Sequence, residues 1–211
     1  MSEKNFAINN PAMMLVARLG DVALLNVYFV LCSLPIFTIG ASLTAMYATA
    51  LKMVRKEDDG ITKTFFRAFK LNFKQATSIW IIMFVFGLFL VMDFYLVSQM
   101  ESPNMLMLYG LYFISGVYMF TLMYVFPLLA RFENTIKNTI VNAMLMFVAH
   151  LPQTVLMIGI VLVLGLLFLL PYVEAIVLFV ATFFGFAGIA LIWSYFFRTI
   201  FERYENTETL D

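Results

Sequence analysis

Charge is the scarcest property of this sequence. Asp, Glu, Lys and Arg make up only 12% of its 211 residues, against roughly 25% in an ordinary soluble domain, and that excludes a conventional solvated globule. Acids and bases balance at 13 each, and the bases follow no nucleic-acid-binding pattern, so no nucleic-acid partner is expected. The single cysteine, Cys32, rules out an intramolecular disulfide. One histidine, His150, and no clustering of His, Cys and acidic residues leave no metal site. Neither a Walker A loop nor a G-x-S-x-G elbow occurs. These absences predict a non-enzyme with no catalytic, cofactor-binding or metal-ligating residue and no cofactor.

Apolar surface is what the chain has instead, with 63% hydrophobic and 17% aromatic residues. Apolar runs fall near residues 15–35, 40–54, 76–98, 104–130, 152–170 and 173–197. The chain, residues 1–211, therefore reads as one all-α membrane domain. It is a polytopic helix bundle with about six transmembrane helices of roughly 20 residues each. The first run is read as a retained helix and not as a cleaved signal peptide, because further spans follow it. With the N-terminus inside, the inner segments hold Lys4, Arg18, Lys52, Arg55, Lys56, Lys63, Arg67, Lys70, Lys74, Arg131, Lys137, Arg198 and Arg203, all 13 bases of the chain. The outer segments near 33–40, 99–104 and 171–174 hold none, and two of them carry Glu101 and Glu174. Cytoplasmic N- and C-termini follow, with the lipid bilayer as the first partner.

Arg18 and Lys52 flank the first two runs and belong on the same side, so the chain must enter the membrane and return. The stretch is short for two crossings of about 20 residues and a turn. Either the bilayer thins there, or other helices shelter the return helix, or the tip "SLPIFTIGAS" at residues 33–42 stops short as a re-entrant turn. Pro35 lacks an N–H, and Gly40 offers the positive φ of a turn or helix boundary. In the returning "ASLTAMYATALKMV", Ala41, Ala45 and Thr49 share one face, and small residues at that spacing let helix backbones approach, which puts this helix at the bundle centre. Pro35, Thr38, Gly40, Ser42 and Ala45 are the candidate hairpin and packing residues. A substrate path past Thr38, Ser42 and Thr44 is the competing reading. Ala181, Gly185 and Gly188 mark a packing face on the last helix.

Between the second and third runs, "RKEDDGITKTFFRAFKLNFKQ" is amphipathic at about 100° per residue. Phe65, Phe66, Phe69 and Phe73 fall in one arc, with Lys63, Arg67, Lys70 and Lys74 opposite. This is a first cytoplasmic interfacial helix, and the four bases are candidate lipid- or partner-binding residues. The segment "ARFENTIKNTIVNAMLMFVAHLPQT" gives a second, with Asn134, Asn138 and Asn142 on one face and Ile136, Ile140, Ala143 and Phe147 on another. The recurring order of crossing, cytoplasmic helix and crossing suggests a parallel repeat of residues 41–98 and 105–170. Within the runs, Asp21 falls near an inner end and Asp93 near an outer one, and no midplane chain of acids or histidines supports a proton-coupled pump.

The segments "RLGDVALLNVYFVLCSLPIFTIGASLTAMYATALKMV", "FFRAFKLNFKQAT" and "NAMLMFVAHLPQT" together resemble the YesL-like integral membrane proteins of Gram-positive bacteria, a domain of unknown function. "LPIFTIGASLTAMY" is the most specific part. The resemblance implies a multi-pass protein of the bacterial plasma membrane, encoded beside carbohydrate ABC importers; it implies no activity and transfers no site residue. The expected function is a non-enzymatic membrane accessory or interaction protein of a carbohydrate ABC import system, with importer permease or ATPase subunits as partners. "NAMLMFVAHLP" ends in Leu-Pro as the coupling motif of type I permeases does, but it lacks that motif's acidic start and its glycine. The alternative is a small transporter or channel for a neutral solute with the hairpin as its gate. An enzyme acting on lipid carriers is disfavoured, because no acid/base pair converges.

Overall fold

Helices account for every regular element of the structure, a computed structural model that describes residues 11–57, 59–100, 102, 104–167 and 174–208. In chain order they are α1 (Pro11–Ser33), a 3-10 turn (Ile36–Thr38), α2 (Ile39–Arg55), α3 (Ile61–Ser98), α4 (Met105–Arg131), α5 (Ile136–Ala149), α6 (Leu151–Leu167) and α7 (Glu174–Glu208). Among the described residues, five helices are long and apolar enough to cross a membrane: α1, α2 with its preceding turn, α3, α4 and α7. α5 and α6, bent by 90°, make a sixth if counted as one broken span. The all-α bundle expected from the sequence is what forms. Lys4, Glu101 and the outer residues 171–173 lie outside the described residues.

The first amphipathic segment differs from expectation, because it is not a separate element. It is the opening of α3, which runs unbroken for 38 residues, about 57 Å at the helical rise. No Pro or Gly occurs between Ile61 and Phe86, so nothing in the chain interrupts the hydrogen-bond ladder. The second amphipathic segment is separate: α5 ends at His150, and α6 restarts with Pro152 in its first turn, where a missing N–H costs nothing.

α2 lies antiparallel along the first half of α3. At its start, a methyl group built on Gly40 would fall 2.5 Å from the Ala76 carbonyl oxygen and 2.6 Å from the Trp80 Cβ. Near its end, Ala48 and Lys52 share a cleft with Thr64 and Ala68. The expected face holds, since Ala41, Ala45 and Thr49 are each 0% exposed. Gly40, however, is already helical, and among the described glycines only Gly60 has positive φ. Its smallness serves close helix contact and not a turn. The sharp turn lies instead at Lys56 (φ 59°) and Gly60 (φ 96°), between α2 and α3. At the tip, Pro35 is exposed, and the buried Thr38 hydroxyl donates to the carbonyls of Cys32 (2.6 Å) and Pro35 (2.7 Å).

The tip therefore sits beside residues 76–80 of α3. Residues 80–98 carry α3 about 27 Å further. The core is correspondingly lopsided. Leu25, Phe65, Ile79, Tyr124, Phe126, Phe197 and Phe201 are buried around α2, between the hairpin tip and the basic end where α2 and α4 finish and α3 begins. Beyond the tip, Leu90, Val97 and Leu111 form a separate small cluster, while Phe89, Val91, Leu106 and Phe113 are each at least 65% exposed. An apolar surface of that kind suits hydrocarbon and not water.

Polar groups inside the bundle tie helices together in pairs. Tyr124 and Thr154 hydroxyls join α4 to α6 at 2.7 Å, Tyr118 donates to the Met83 carbonyl at 3.0 Å, and Trp193 Nε1 donates to the Met157 carbonyl at 3.3 Å. Asn26 of α1 bridges the α7 backbone: its Nδ2 donates to the Thr182 carbonyl (2.9 Å), and its Oδ1 accepts from Ala187 N–H (3.1 Å). The buried small residues of α7 are Ala187, Ala190 and Ser194. The expected stripe through Ala181, Gly185 and Gly188 is not the close face, since a methyl on Gly188 would meet nothing within 4 Å.

Candidate functional site

The polar side chains converge on a cleft of about 490 Å³ at the basic end, between α2, α3 and the end of α4. Local chain chemistry explains each wall. Lys52 occupies the last turn of α2, where cations complement the helix dipole. Along α3, Thr64, Arg67, Ala68, Leu71, Asn72 and Gln75 recur at helical spacing and present one stripe. α4 supplies Leu129, Ala130 and Arg131, and the turn into α5 supplies Phe132, Glu133 and Asn134. Thr135 closes that turn as the N-cap of α5, accepting from Asn138 N–H at 3.3 Å. Small side chains at Ala48, Ala68 and Ala130 leave the space open.

A cluster of ion pairs secures one wall. Arg131 meets the Glu205 carboxylate in a two-point fork, Nε to Oε1 at 2.7 Å and Nη2 to Oε2 at 2.9 Å. Arg55 reaches the same carboxylate through Nη2 (2.9 Å) and Nη1 (3.3 Å). One acid from the end of α7 thus clamps the ends of α2 and α4. Beside it, Arg198 pairs with Glu202 and reaches the Val54 carbonyl of α2 at 3.4 Å. Lys52 and Arg67 make no ion pair among the described residues. The amide nitrogens of Asn72 and Gln75 donate to the Ala68 and Asn134 carbonyls, leaving their amide oxygens as spare acceptors. The cleft therefore combines two cations outside any described ion pair with open amide acceptors and the Glu133 carboxylate, a chemistry for holding an anion that also bears donors.

The structure divides the residues expected from sequence. Of the four bases, Arg67 alone lines this cleft; Lys63 is exposed elsewhere, and Lys70 and Lys74 border a shallow groove with Phe69 and Phe73. The aromatic face of that helix turns largely inward, with Phe65 buried and in contact with Tyr28 of α1. Thr38, Gly40, Ser42 and Ala45 are buried apart from the cleft. The hydroxyls of Ser42 and Thr44 donate to the Thr38 and Gly40 carbonyls of their own helix, and neither lines any of the five main cavities. Lys52, Arg131, Asn72, Gln75 and Glu205 were not singled out as site residues from sequence. Lys52 and Arg131 are visible in the sequence only as basic-end charges, and Asn72, Gln75 and Glu205 carry no local signal.

Two further cavities are apolar: one of about 380 Å³ between α3, α4 and α5, and one of about 450 Å³ between α2, α4, α6 and α7. His150, buried where α5 meets α6, lies 3.1 Å from the Tyr204 hydroxyl of α7. Among the described residues no three of His, Cys, Asp and Glu converge.

A family model described as "Protein of unknown function, DUF624" matches residues 22–94, from within α1 to near the far end of α3. That stretch contains the hairpin and the α2 and α3 walls of the cleft. No curated protein and no solved structure matches the chain.

Proposed function

We propose that the protein is a non-enzymatic, multi-pass accessory protein of a bacterial plasma membrane, with its termini and basic end in the cytoplasm, that engages a partner through that end. The observation carrying this reading is the segregation of its chemistry. Lys52 and Arg67, outside any ion pair among the described residues, and the amides of Asn72 and Gln75 gather at the basic end, whereas the helices beyond the hairpin tip present almost unbroken apolar surface. The same distribution supports the inside orientation, since cytoplasmic loops retain Lys and Arg. The family match brings no activity. The YesL-like reading of the whole chain belongs to this proposal, and with it the partner we favour, a permease or ATPase subunit of a carbohydrate ABC importer. A solute path through the hairpin finds less support, because Ser42 and Thr44 spend their hydroxyls on their own helix.

Affinity purification of the tagged full chain in mild detergent, from cells grown on inducing sugars, tests the reading. Co-purification of importer subunits is the expected result. Recovery of the chain without any of them contradicts it.

A further inference from the structure

The basic-end cleft is better built than a surface that merely repels or attracts by net charge. Its volume, about 490 Å³, lies in the range of small-molecule sites, roughly 300–1,000 Å³. Arg67 and Lys52 approach it from two different helices and are not consumed by any ion pair among the described residues. A guanidinium and an ammonium lining one cleft suit a phosphate, the first as a planar fork and the second as a point charge. The rest of the lining adds a second requirement. Asn72 and Gln75 donate to backbone carbonyls, so the oxygens they keep, like the Glu133 carboxylate that also lines the cleft, accept from hydroxyl donors on the ligand.

Depth supports a ligand of the membrane boundary. Lys74 is the last base along α3, and from Ala76 to Ser98 that helix carries Asp93 as its one charge. A boundary between headgroups and hydrocarbon close to Lys74 leaves the cleft, which reaches Gln75, in the headgroup layer.

We propose that this cleft binds a phosphate carried on a hydroxylated carbon skeleton, the chemistry shared by the phosphoglycerol headgroup of an anionic phospholipid and by free glycerol phosphate. Lys52 and Arg67 hold the phosphate, and Asn72 and Gln75 accept from the hydroxyls. This inference is independent of any importer partner, and its test uses the isolated protein.

The experiment takes delipidated full-length protein in detergent. Native mass spectrometry measures bound phosphatidylglycerol against phosphatidylcholine of the same acyl chains, and calorimetry measures sn-glycerol 3-phosphate. Saturable binding of a phosphoglycerol ligand is expected, at least tenfold weaker in the Lys52→Gln/Arg67→Gln variant, the scale of losing a charge-assisted hydrogen bond. The Lys63→Gln/Lys70→Gln/Lys74→Gln variant, which strips the outward bases, is expected to bind within about twofold of the parent by the same conversion. Asn72→Leu, which keeps both cations, is expected to weaken binding several-fold. Binding confined to the lipid assigns the headgroup; binding of the free phosphate assigns a soluble ligand. No binding of either, equal binding of phosphatidylcholine, or equal losses in the two basic variants overturns the site. Matching elution and melting profiles establish that each variant folds, and neither Lys52 nor Arg67 is part of the Glu205 clamp.

Discussion

Gly40 of α2 and Ala76 of α3 stand in backbone contact: a methyl on Gly40 would lie 2.5 Å from the Ala76 carbonyl oxygen. That oxygen belongs to a helix backbone and cannot swing aside. Gly40→Ala would gain about 1 kcal/mol of helix propensity but incur an overpacking cost of about 1–3 kcal/mol or more, so overpacking wins. We expect a lower melting temperature in detergent for Gly40→Ala and little folded protein for Gly40→Leu, read by fluorescence-detected size exclusion. A Gly40→Leu protein of unchanged stability would contradict the packing role.

Glu205 gives a second prediction. Its carboxylate serves both Arg55 and Arg131, whose side chains are 10% and 34% exposed. Arg55 Nε is already buried without a partner, so removing the acid strands more buried charge. Glu205→Gln should destabilise the protein by about 1–3 kcal/mol, between the values for exposed and fully buried pairs. Glu202 pairs with Arg198 where both are more than 40% exposed, and solvent screening there means Glu202→Gln should cost clearly less than Glu205→Gln. Thermal denaturation of the two variants side by side checks the order; equal losses would refute it.

Asn26 is the lone amide among the apolar residues of α1's second half, and it is 1% exposed. Asn26→Leu removes two hydrogen bonds to the α7 backbone and should cost about 1 kcal/mol, the usual scale for interhelical bonds in membranes. Amide exchange at Ala187 should rise in the variant. Unchanged exchange there would show that α7 does not need the bridge.

These residues also show what the sequence can and cannot disclose. Ala41, Ala45 and Thr49 were legible as a buried face because small residues at helical spacing have one physical use. Gly40 was legible as special but not in its role, since a glycine supplying room and one supplying positive φ look alike in a sequence. The continuity of α3 had a signal in its lack of Pro and Gly, outweighed by the change from amphipathic to apolar composition. Pro152 did mark the break before α6. Glu205 had no local signal at all: it is an ordinary acid near a chain end until folding sets it against two arginines from distant helices. The cleft was half visible for the same reason, with Arg67 picked out by amphipathicity and Lys52 and Arg131 counted only as topology charges.

The depth of the hairpin tip is the most direct test, because the account sets the hairpin and the polar cleft toward one side of the membrane. Starting from Cys32→Ser, single cysteines are introduced by Phe37→Cys at the tip, Ser102→Cys between α3 and α4, and Lys63→Cys at the basic end. Intact cells are then treated with a membrane-impermeant maleimide. The account predicts rapid labelling of Ser102→Cys, labelling of Lys63→Cys only after permeabilisation, and no labelling of Phe37→Cys from outside, since the tip ends about 27 Å short of the far end of α3. Labelling of Phe37→Cys from outside as fast as Ser102→Cys would contradict it.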